Sequence, residues 1–261
     1  MTLRLSLMNI FSLRDRVALV TGGNGGIGLG MAEGFARAGA RVVLSGRDKT
    51  KAETALASLQ VHGGAVHFVE ADVTDENACR ALAAAAVEKF GRLDILVNNA
   101  GMSIRKRPED LTAREWYTVI DTNLSAALFC AQAAYPEMKR QGAGKIINIG
   151  SMMTLFAAPY AAAYGASKGG IVQLSRSLAT AWAPDNIQVN AILPGWIDTN
   201  LTRTARQQVE GLHERVLART PAGRWGEPGD FAGIAVFLAS AASDFVTGAA
   251  IPVDGGYSIA A

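Results

Sequence analysis

Val17-Ala18-Leu19-Val20-Thr21-Gly22-Gly23-Asn24-Gly25-Gly26-Ile27-Gly28 is the stretch that decides how this chain folds. Its first four residues are a short unbroken apolar run, the pattern of a strand covered on both faces. The glycines follow at once, and a helical pattern then runs to about Ala38, closed by Gly39-Ala40. Strand, glycine turn and helix in that order can receive a pyrophosphate. Glycine permits the tight turn and lets backbone N–H groups approach phosphate at the helix N-terminus. The spacing is Gly-x-x-x-Gly-x-Gly, not the Gly-x-Gly-x-x-Gly of other dinucleotide folds. A glycine turn that holds no nucleotide is the competing reading, and the flanking elements argue against it.

The same alternation continues down the chain. Arg41 to Ser45 reads as a second strand whose C-terminal end would face an adenosine ribose. An acidic residue there accepts from the 2′-hydroxyl, whereas an arginine meets a 2′-phosphate. The chain offers Gly46-Arg47 and no carboxylate before Asp48. Arg47 suits a charge-assisted contact with phosphate, so NADP(H) is favoured, with NAD(H) as the alternative. Asp48 would reach the ribose if the loop shifted by one residue, or it caps the helix from Lys49 to about Leu59. Val66 to Val69 is the third strand, ending at Asp72-Val73. Asp72 could receive an adenine amino group or cap the next helix, a role that suits Asp75 better.

A helix from Glu76 to Phe90 ends at Gly91, and Leu93 to Val97 is the fourth strand. Asn98-Asn99-Ala100-Gly101 follows it, allowing close backbone contact with a cofactor or simply a turn. Helical spacing from Thr112 to Arg140 puts Trp116, Ile120, Leu124, Leu128 and Phe129 in the core. Asn123 sits among them as a buried amide that needs partners. Lys145 to Ile149, Ile187 to Ile192 and Ala250 to Val253 are the last strands. Residues 200–225 are polar and read as a mobile cover over the site.

With no linker of changed composition and no other repeat, the expectation is one α/β domain over residues 1–261. It is a doubly wound parallel sheet of about seven strands flanked by helices. Residues 1–13 would be an N-terminal arm and about 196–225 a substrate-covering segment. The 261 residues, 49% hydrophobic and 18% charged, suit a single well-buried core. A net charge of +2 without a basic stripe argues against nucleic acid as a partner. Two cysteines, Cys79 and Cys130, favour a reducing, cytoplasmic setting over a disulfide framework. His62, His67 and His213 lack metal-ligand spacing, so no metal is expected. Between Arg4 and Arg14 the uncharged run has only nine residues, too short to span a bilayer, and no cleavage site follows.

Chemistry gathers at Tyr164-Gly165-Ala166-Ser167-Lys168, with Ser151 thirteen residues before the tyrosine. On a helix, Tyr164 and Lys168 share a face about 6 Å apart along the axis. A phenol, with a pKa of about 10, is a poor base at neutral pH. A neighbouring ammonium is expected to bring that pKa down. Ser151, at the C-terminal end of the fifth strand where ligands collect, could polarise a carbonyl or steady an alcohol. Tyr160 is a rival base, but it would lie about 12 Å from Lys168 along the axis. The trio suits proton transfer at a carbinol oxygen while a hydride leaves or arrives at its carbon.

Taken together, the motifs resemble the classical short-chain dehydrogenase/reductase family from Leu13 onward. They are Thr21-Gly22-x-x-x-Gly26-Ile27-Gly28, Asp72, Asn98-Asn99-Ala100-Gly101, Asn123, Ser151, Tyr164-x-x-x-Lys168 and Pro194-Gly195-x-x-x-Thr199. The resemblance implies Tyr164 as general acid/base, Lys168 as its modulator and a ribose ligand, and Ser151 as the orienter of the substrate oxygen. Asn123 would hold a water in the proton relay. Cofactor contacts would come from Gly22, Asn24, Gly26, Ile27, Gly28, Arg47, Asp72, Val73, Asn99, Ala100, Gly101, Tyr164, Lys168, Pro194 and Gly195. Ile197 and Thr199 would meet the nicotinamide carboxamide. A homotetramer is also implied.

Within the family, Phe11-Ser12-Leu13, Arg219 to Gly226 and Phe237 to Ser240 look like the gluconate 5-dehydrogenase and 2-deoxy-gluconate 3-dehydrogenase branch. Arg105-Lys106-Arg107, on the loop leaving the fourth strand, could hold a sugar-acid carboxylate, or it is a solvated charge run. Met102, Met153, Tyr160 and Trp196 are candidate pocket walls beside Ser151, Tyr164 and Arg105. The expected function is therefore NAD(P)(H)-dependent interconversion of a secondary alcohol and a ketone on a small-molecule sugar acid or polyol. Alternatives are a 3-oxoacyl thioester reductase and a glucose 1-dehydrogenase-like enzyme. A nucleotide-sensing regulator is more remote, since it has no need of the complete Asn123, Ser151, Tyr164 and Lys168 set.

Overall fold

A computed structural model of the chain describes residues 10–260. Seven parallel strands form one sheet: β1 (Val17–Thr21), β2 (Arg41–Gly46), β3 (Val66–Glu70), β4 (Ile95–Asn98), β5 (Gly144–Ile149), β6 (Ile187–Pro194) and β7 (Ala250–Val253). Their order is β3-β2-β1-β4-β5-β6-β7. The chain steps outward from β1 to β3 and then returns past β1 to β4. That reversal opens a crevice beyond the carboxyl ends of β1 and β4, which is where ligands bind in such sheets.

The apolar runs sort by parity, because successive side chains of a strand point to opposite faces. Ala18 and Val20 join one core with Met31 and Phe35 of α1 (Gly26–Arg37), Leu59 of α2 (Lys49–Gln60) and Leu238 of α9 (Ala232–Ala239). Val17 and Leu19 join the other, with Leu82 of α3 (Glu76–Phe90), Met138 of α5 (Ala126–Gln141) and Leu178 of α6 (Ala162–Trp182). The fold expected from the alternation is thus present, with helices on both faces of one parallel sheet.

Local chemistry sets the helix ends. Asp48 accepts the Lys51 N–H at 3.0 Å and caps α2. Asp75 caps α3, and Gly91 stops that helix in the left-handed conformation at φ +81°. Asp94, just before β4, accepts from the Val17 N–H at 2.9 Å and from Arg16 and Arg92. Burial pushes this carboxyl up, but the hydrogen bonds from Arg92, Val17 and Arg16 outweigh it and hold the pKa below its ordinary value.

One expectation needs correction. The helical run from Thr112 to Arg140 is α4 (Ala113–Ile120), a π-turn at Asp121–Ser125, and α5. The wider turn inserts one residue and rotates the buried stripe. Val119, Asn123, Ala127, Cys130, Ala134 and Met138 are therefore buried, whereas Trp116, Ile120, Leu124, Leu128 and Phe129 are only part-buried. Residues 196–225, expected to cover the substrate, carry α7 (Asn200–Gln208) and α8 (Leu212–Arg219) around a small core of Ala205, Leu212, Val216 and Trp225. The arm expected over residues 1–13 falls, for residues 1–9, outside the described residues. Among the described residues, no helix is long and apolar enough to cross a membrane.

Gly30 fixes how closely α1 approaches the turn before α9. A Cβ there would lie 2.1 Å from the Pro228 carbonyl oxygen. Gly→Ala inside a helix normally gains up to about 1 kcal/mol, whereas overpacking against backbone costs about 1–3 kcal/mol or more. Gly30→Ala is therefore expected to lower stability by about 2 kcal/mol and the melting temperature by about 4–8 °C. Thermal unfolding followed by circular dichroism checks this, and an unchanged or raised midpoint would refute the close packing.

Candidate active site

Three connected hollows lie at the carboxyl edge of the sheet. The largest, about 460 Å³, runs from the glycine turn past Ser151, Tyr164 and Lys168 to Pro194 and Thr199. A recess of about 320 Å³ continues between Arg47, Asp72 and Val73. A third, about 80 Å³, lies beyond Ser151 and Tyr164.

The glycine turn is shaped for a bound phosphate. Gly26 has φ +53°, a conformation that side chains avoid, and it leads directly into α1. Asn24 donates to the Asp48 carbonyl at 3.0 Å, tying the turn to the end of β2. Thr21 Oγ1 accepts from the Asn99 and Ala100 N–H groups at 3.0 and 3.1 Å, while Asn99 Nδ2 donates back to the Thr21 and Gly22 carbonyls. The ends of β1 and β4 are thereby stitched into one cradle. Gly28 does not line it; its Cα packs so closely that a Cβ would sit 2.5 Å from Asn99 Nδ2.

The recess carries charge at its outer end. Arg47 and Asp72 approach at 3.7 Å, and both are exposed. Asp72 caps no helix: it accepts from the Thr74 N–H and hydroxyl at 3.0 and 2.8 Å. Those bonds, with Thr74's N–H the largest influence and Arg47 assisting, hold its carboxyl below the ordinary range. Lys51 lines both the recess and the main cleft, loosely paired with Asp48 at 3.6 Å. The backbone cradle, the open cleft and two cations at its end fit a dinucleotide carrying a 2′-phosphate.

The four residues singled out for chemistry converge. Lys168 is buried and donates to the Ile149 carbonyl at 2.6 Å, with its Nζ 5.7 Å from the centre of the Tyr164 ring. Ser151 ends the β5 crossing and accepts from the Met153 N–H at 3.1 Å. Asn123, buried in the π-turn, accepts from the Met102 N–H at 2.8 Å and donates to the Met102 carbonyl and Ser167 Oγ at 2.9 and 3.0 Å. Ser167 Oγ in turn donates to the Tyr164 carbonyl at 2.8 Å. The π-turn that displaced the expected core stripe also places Asn123 behind the cleft, against Met102 and Ser167.

Electrostatics depart from the expectation at Tyr164. Burial pushes its phenol up from the ordinary value, while Ser151's hydroxyl and the Arg105 guanidinium pull the other way. Lys168, instead of carrying a full charge at every working pH, is drawn down by burial to about 8. In the protein alone, desolvation therefore outweighs the mutual help that the Tyr-x-x-x-Lys spacing suggested.

Over residues 22–258 the chain matches a family model described as enoyl-(acyl carrier protein) reductase. It is 39% identical over 251 residues to the gluconate 5-dehydrogenase of Gluconobacter oxydans, with 96% of this chain and 98% of that protein covered. It is 40% identical over 252 residues to the 2-dehydro-3-deoxy-D-gluconate 5-dehydrogenase of Dickeya dadantii, with 96% and 98% covered. The crystal structure of a gluconate 5-dehydrogenase from Burkholderia cenocepacia, in complex with NADP and tartrate, matches with a TM-score of 0.92 at 38% identity. That match covers 98% of this chain and 100% of the other. The chain belongs to the short-chain dehydrogenase/reductase family.

Like the relatives it resembles, this short-chain dehydrogenase/reductase is an oxidoreductase acting on CH–OH groups. Gly22, Asn24, Gly26, Ile27, Asn99, Ala100, Gly101, Pro194, Gly195, Ile197 and Thr199 all line its main cleft. Ser151, Met153, Tyr160, Tyr164, Trp196 and Arg105 line the small pocket, whereas Met102 faces the recess. Sequence reading missed Lys51, whose only signal was a second cation one helical turn after Arg47. It also missed Leu201 and Thr202, which close the small pocket from the covering segment.

Proposed function

We propose that this enzyme interconverts a secondary alcohol and a ketone on a sugar acid, using NADP(H). One observation carries the sugar-acid reading: the basic loop is not a uniform solvated run. Lys106 pairs with Glu115 at 2.6 Å and Arg107 with Glu109 at 2.5 Å, but Arg105 has no carboxylate partner among the described residues. Its guanidinium lines the small pocket, part-desolvated and close to the Tyr160 and Tyr164 hydroxyls. Lys106 bridges in parallel to Ala161, with its N–H on the Tyr160 carbonyl at 3.2 Å, and this fixes Arg105 at the entrance to α6. A cation held only by neutral acceptors, the Leu201 carbonyl and Gln208 Oε1 at 3.3 Å each, beside a proton-transfer group suits a carboxylate a few bonds from the reacting hydroxyl. The tartrate in the Burkholderia enzyme complex is itself a hydroxy acid.

The glycine turn, Asn99 to Gly101, Tyr164, Lys168, Pro194, Gly195, Ile197 and Thr199 would hold NADP(H), with Arg47, Asp72 and Val73 at its adenosine end and Lys51 beside them. Bound there, the nicotinamide supplies the hydride acceptor or donor. The chain's own work is proton management. Ser151 orients the substrate oxygen, and Tyr164 takes the hydroxyl proton during oxidation and returns it during reduction. Lys168 is the neighbouring cation, and Asn123 holds the relay water. Residues 196–225 cover the substrate. A 3-oxoacyl thioester reductase would need a longer, more apolar groove, and turnover of acyl thioesters in place of gluconate would favour that alternative.

Arg105→Ala is expected to lower kcat/KM for gluconate about 10–100-fold, the loss of one charged hydrogen-bond donor, with much smaller change for an uncharged polyol. Because Arg105 pulls the Tyr164 pKa down, the variant's oxidation rate should also rise at higher pH than in the wild type. Equal losses on both substrates would sink the carboxylate assignment. Arg47→Ala is expected to weaken NADP⁺ about 10–100-fold and leave NAD⁺ nearly unchanged, as read by titration of cofactor binding. Unchanged NADP⁺ affinity would shift the 2′-phosphate contact to Lys51.

A chain with only two cysteines fits a reducing, cytoplasmic setting. A homotetramer rests on the family resemblance alone, and the exposed Tyr117, Phe245 and Ile259 are side chains that a subunit contact would be free to cover.

A further inference from the structure

We propose that Arg219 is a positioning residue for the substrate pocket, seated in the corner formed by Phe156 and Tyr257 so that the covering segment and the Ser151 loop are held in register. Arg219 ends α8. Its guanidinium carbon lies 4.6 Å from the centre of the Phe156 ring and 4.6 Å from the centre of the Tyr257 ring. The two rings stand edge to face at 6.3 Å and 82°. Arg219 Nε is buried without a hydrogen-bond partner, and the side chain makes no ion pair among the described residues. The side chain is part-buried, and the ring faces are the contacts that hold its guanidinium in place.

The stack joins three segments that are remote in sequence, and each matters to the pocket. Phe156 lies on the loop between Ser151 and Tyr164, whose Met153 and Tyr160 form one wall of the small pocket. Arg219 closes the covering segment, whose Leu201 and Thr202 form the facing wall. Tyr257 belongs to the tail after β7. The tail reinforces the joint: the Ala222 N–H donates to the Gly255 carbonyl at 3.0 Å, and a Cβ on Gly256 would already touch Pro221 at 3.0 Å.

The covering segment is internally braced and so transmits this restraint. Asp198 pairs with Arg203 at 3.1 Å and with Arg206, and Arg206 lies 4.4 Å from the centre of the Trp225 ring. At the opposite end from Arg219, the segment meets the pocket through longer contacts. Arg105 donates to the Leu201 carbonyl and to Gln208 Oε1, each at 3.3 Å. The guanidinium is preferred at 219 because its flat face can lie on one ring while its edge and charge reach the other, which a compact ammonium does less well.

The test compares Arg219→Ala, Arg219→Lys, Tyr257→Ala and Tyr257→Phe as full-length, NADP⁺-saturated protein. Hydrogen exchange is the first readout because it needs no substrate. In Arg219→Ala and Tyr257→Ala, amides of 152–161 and 212–222 should exchange about tenfold faster, with β1, β4 and β5 unchanged. Tyr257→Phe should match the wild type, and Arg219→Lys should fall between. With gluconate as the probe, KM should rise about tenfold in the two alanine variants with kcat within threefold. Wild-type exchange in those segments would overturn the proposal, as would faster exchange spread evenly over the sheet. Absence of gluconate turnover in the wild type would count against the sugar-acid reading alone, because the exchange result stands without it.

Discussion

Tyr164→Phe is expected to lower kcat at least about 10³-fold while NADP⁺ binds within about threefold of the wild-type affinity. General acid–base transfer by one positioned group contributes about 10²–10⁴-fold, and no second phenol is placed to substitute. Tyr160, the rival in the sequence, lines the same pocket, but its backbone is engaged with Lys106 ahead of α6 rather than on the helical face shared with Lys168. The ring of phenylalanine preserves the packing, so the loss isolates the hydroxyl. Stopped-time assays of NADPH formation, with fluorescence titration of the cofactor, separate the two effects. Turnover within tenfold of the wild type would remove Tyr164 from the mechanism.

Lys168→Met is expected to be as damaging to turnover, about 10³-fold, and yet to stabilise the cofactor-free protein at neutral pH. Burial draws the ammonium from 10.5 to about 8, so the folded protein binds it less readily than the unfolded chain does. For a base depressed in this way, protonation penalises the fold fully below pH 8, and the penalty fades as pH rises toward 10.5. Each unit is about 1.4 kcal/mol, so the advantage of Lys168→Met over the wild type should shrink by about 2 kcal/mol between pH 7 and 9.5. The lost hydrogen bond to the Ile149 carbonyl, 2.6 Å in the wild type, subtracts from that advantage. Urea unfolding at the two pH values measures the difference. Parallel stabilities would show that Lys168 is not held against its own solvation. Placing a costly charge where chemistry needs it is the usual trade between stability and function.

Much of this was legible in the sequence because it depends on local rules. The run from Val17 to Gly28 gave strand, turn and helix from hydrophobic pattern and glycine chemistry, and the later strands repeated the pattern. Asp48 was caught between two roles, and only the 3.0 Å bond from the Lys51 N–H decided for the cap. The π-turn was not legible: one inserted residue changes which face of α4 and α5 is buried, and no side-chain period signals it in advance. The basic loop also needed three dimensions, since Glu115 and Glu109 neutralise two of its cations and leave Arg105 for the pocket. The sign of the Tyr164 shift failed for a related reason. Spacing along a helix reports the distance to Lys168, whereas burial depends on the whole cleft.

The most direct test is the initial rate of NADPH formation at 340 nm by purified wild-type enzyme, offered D-gluconate or an uncharged polyol with NADP⁺ and then with NAD⁺. Turnover of gluconate with NADP⁺, well above that of the polyol or of NAD⁺, is the predicted result. Turnover confined to the uncharged polyol, or to NAD⁺, would contradict the role given to Arg105 or to Arg47. No turnover of any secondary alcohol would contradict the function itself.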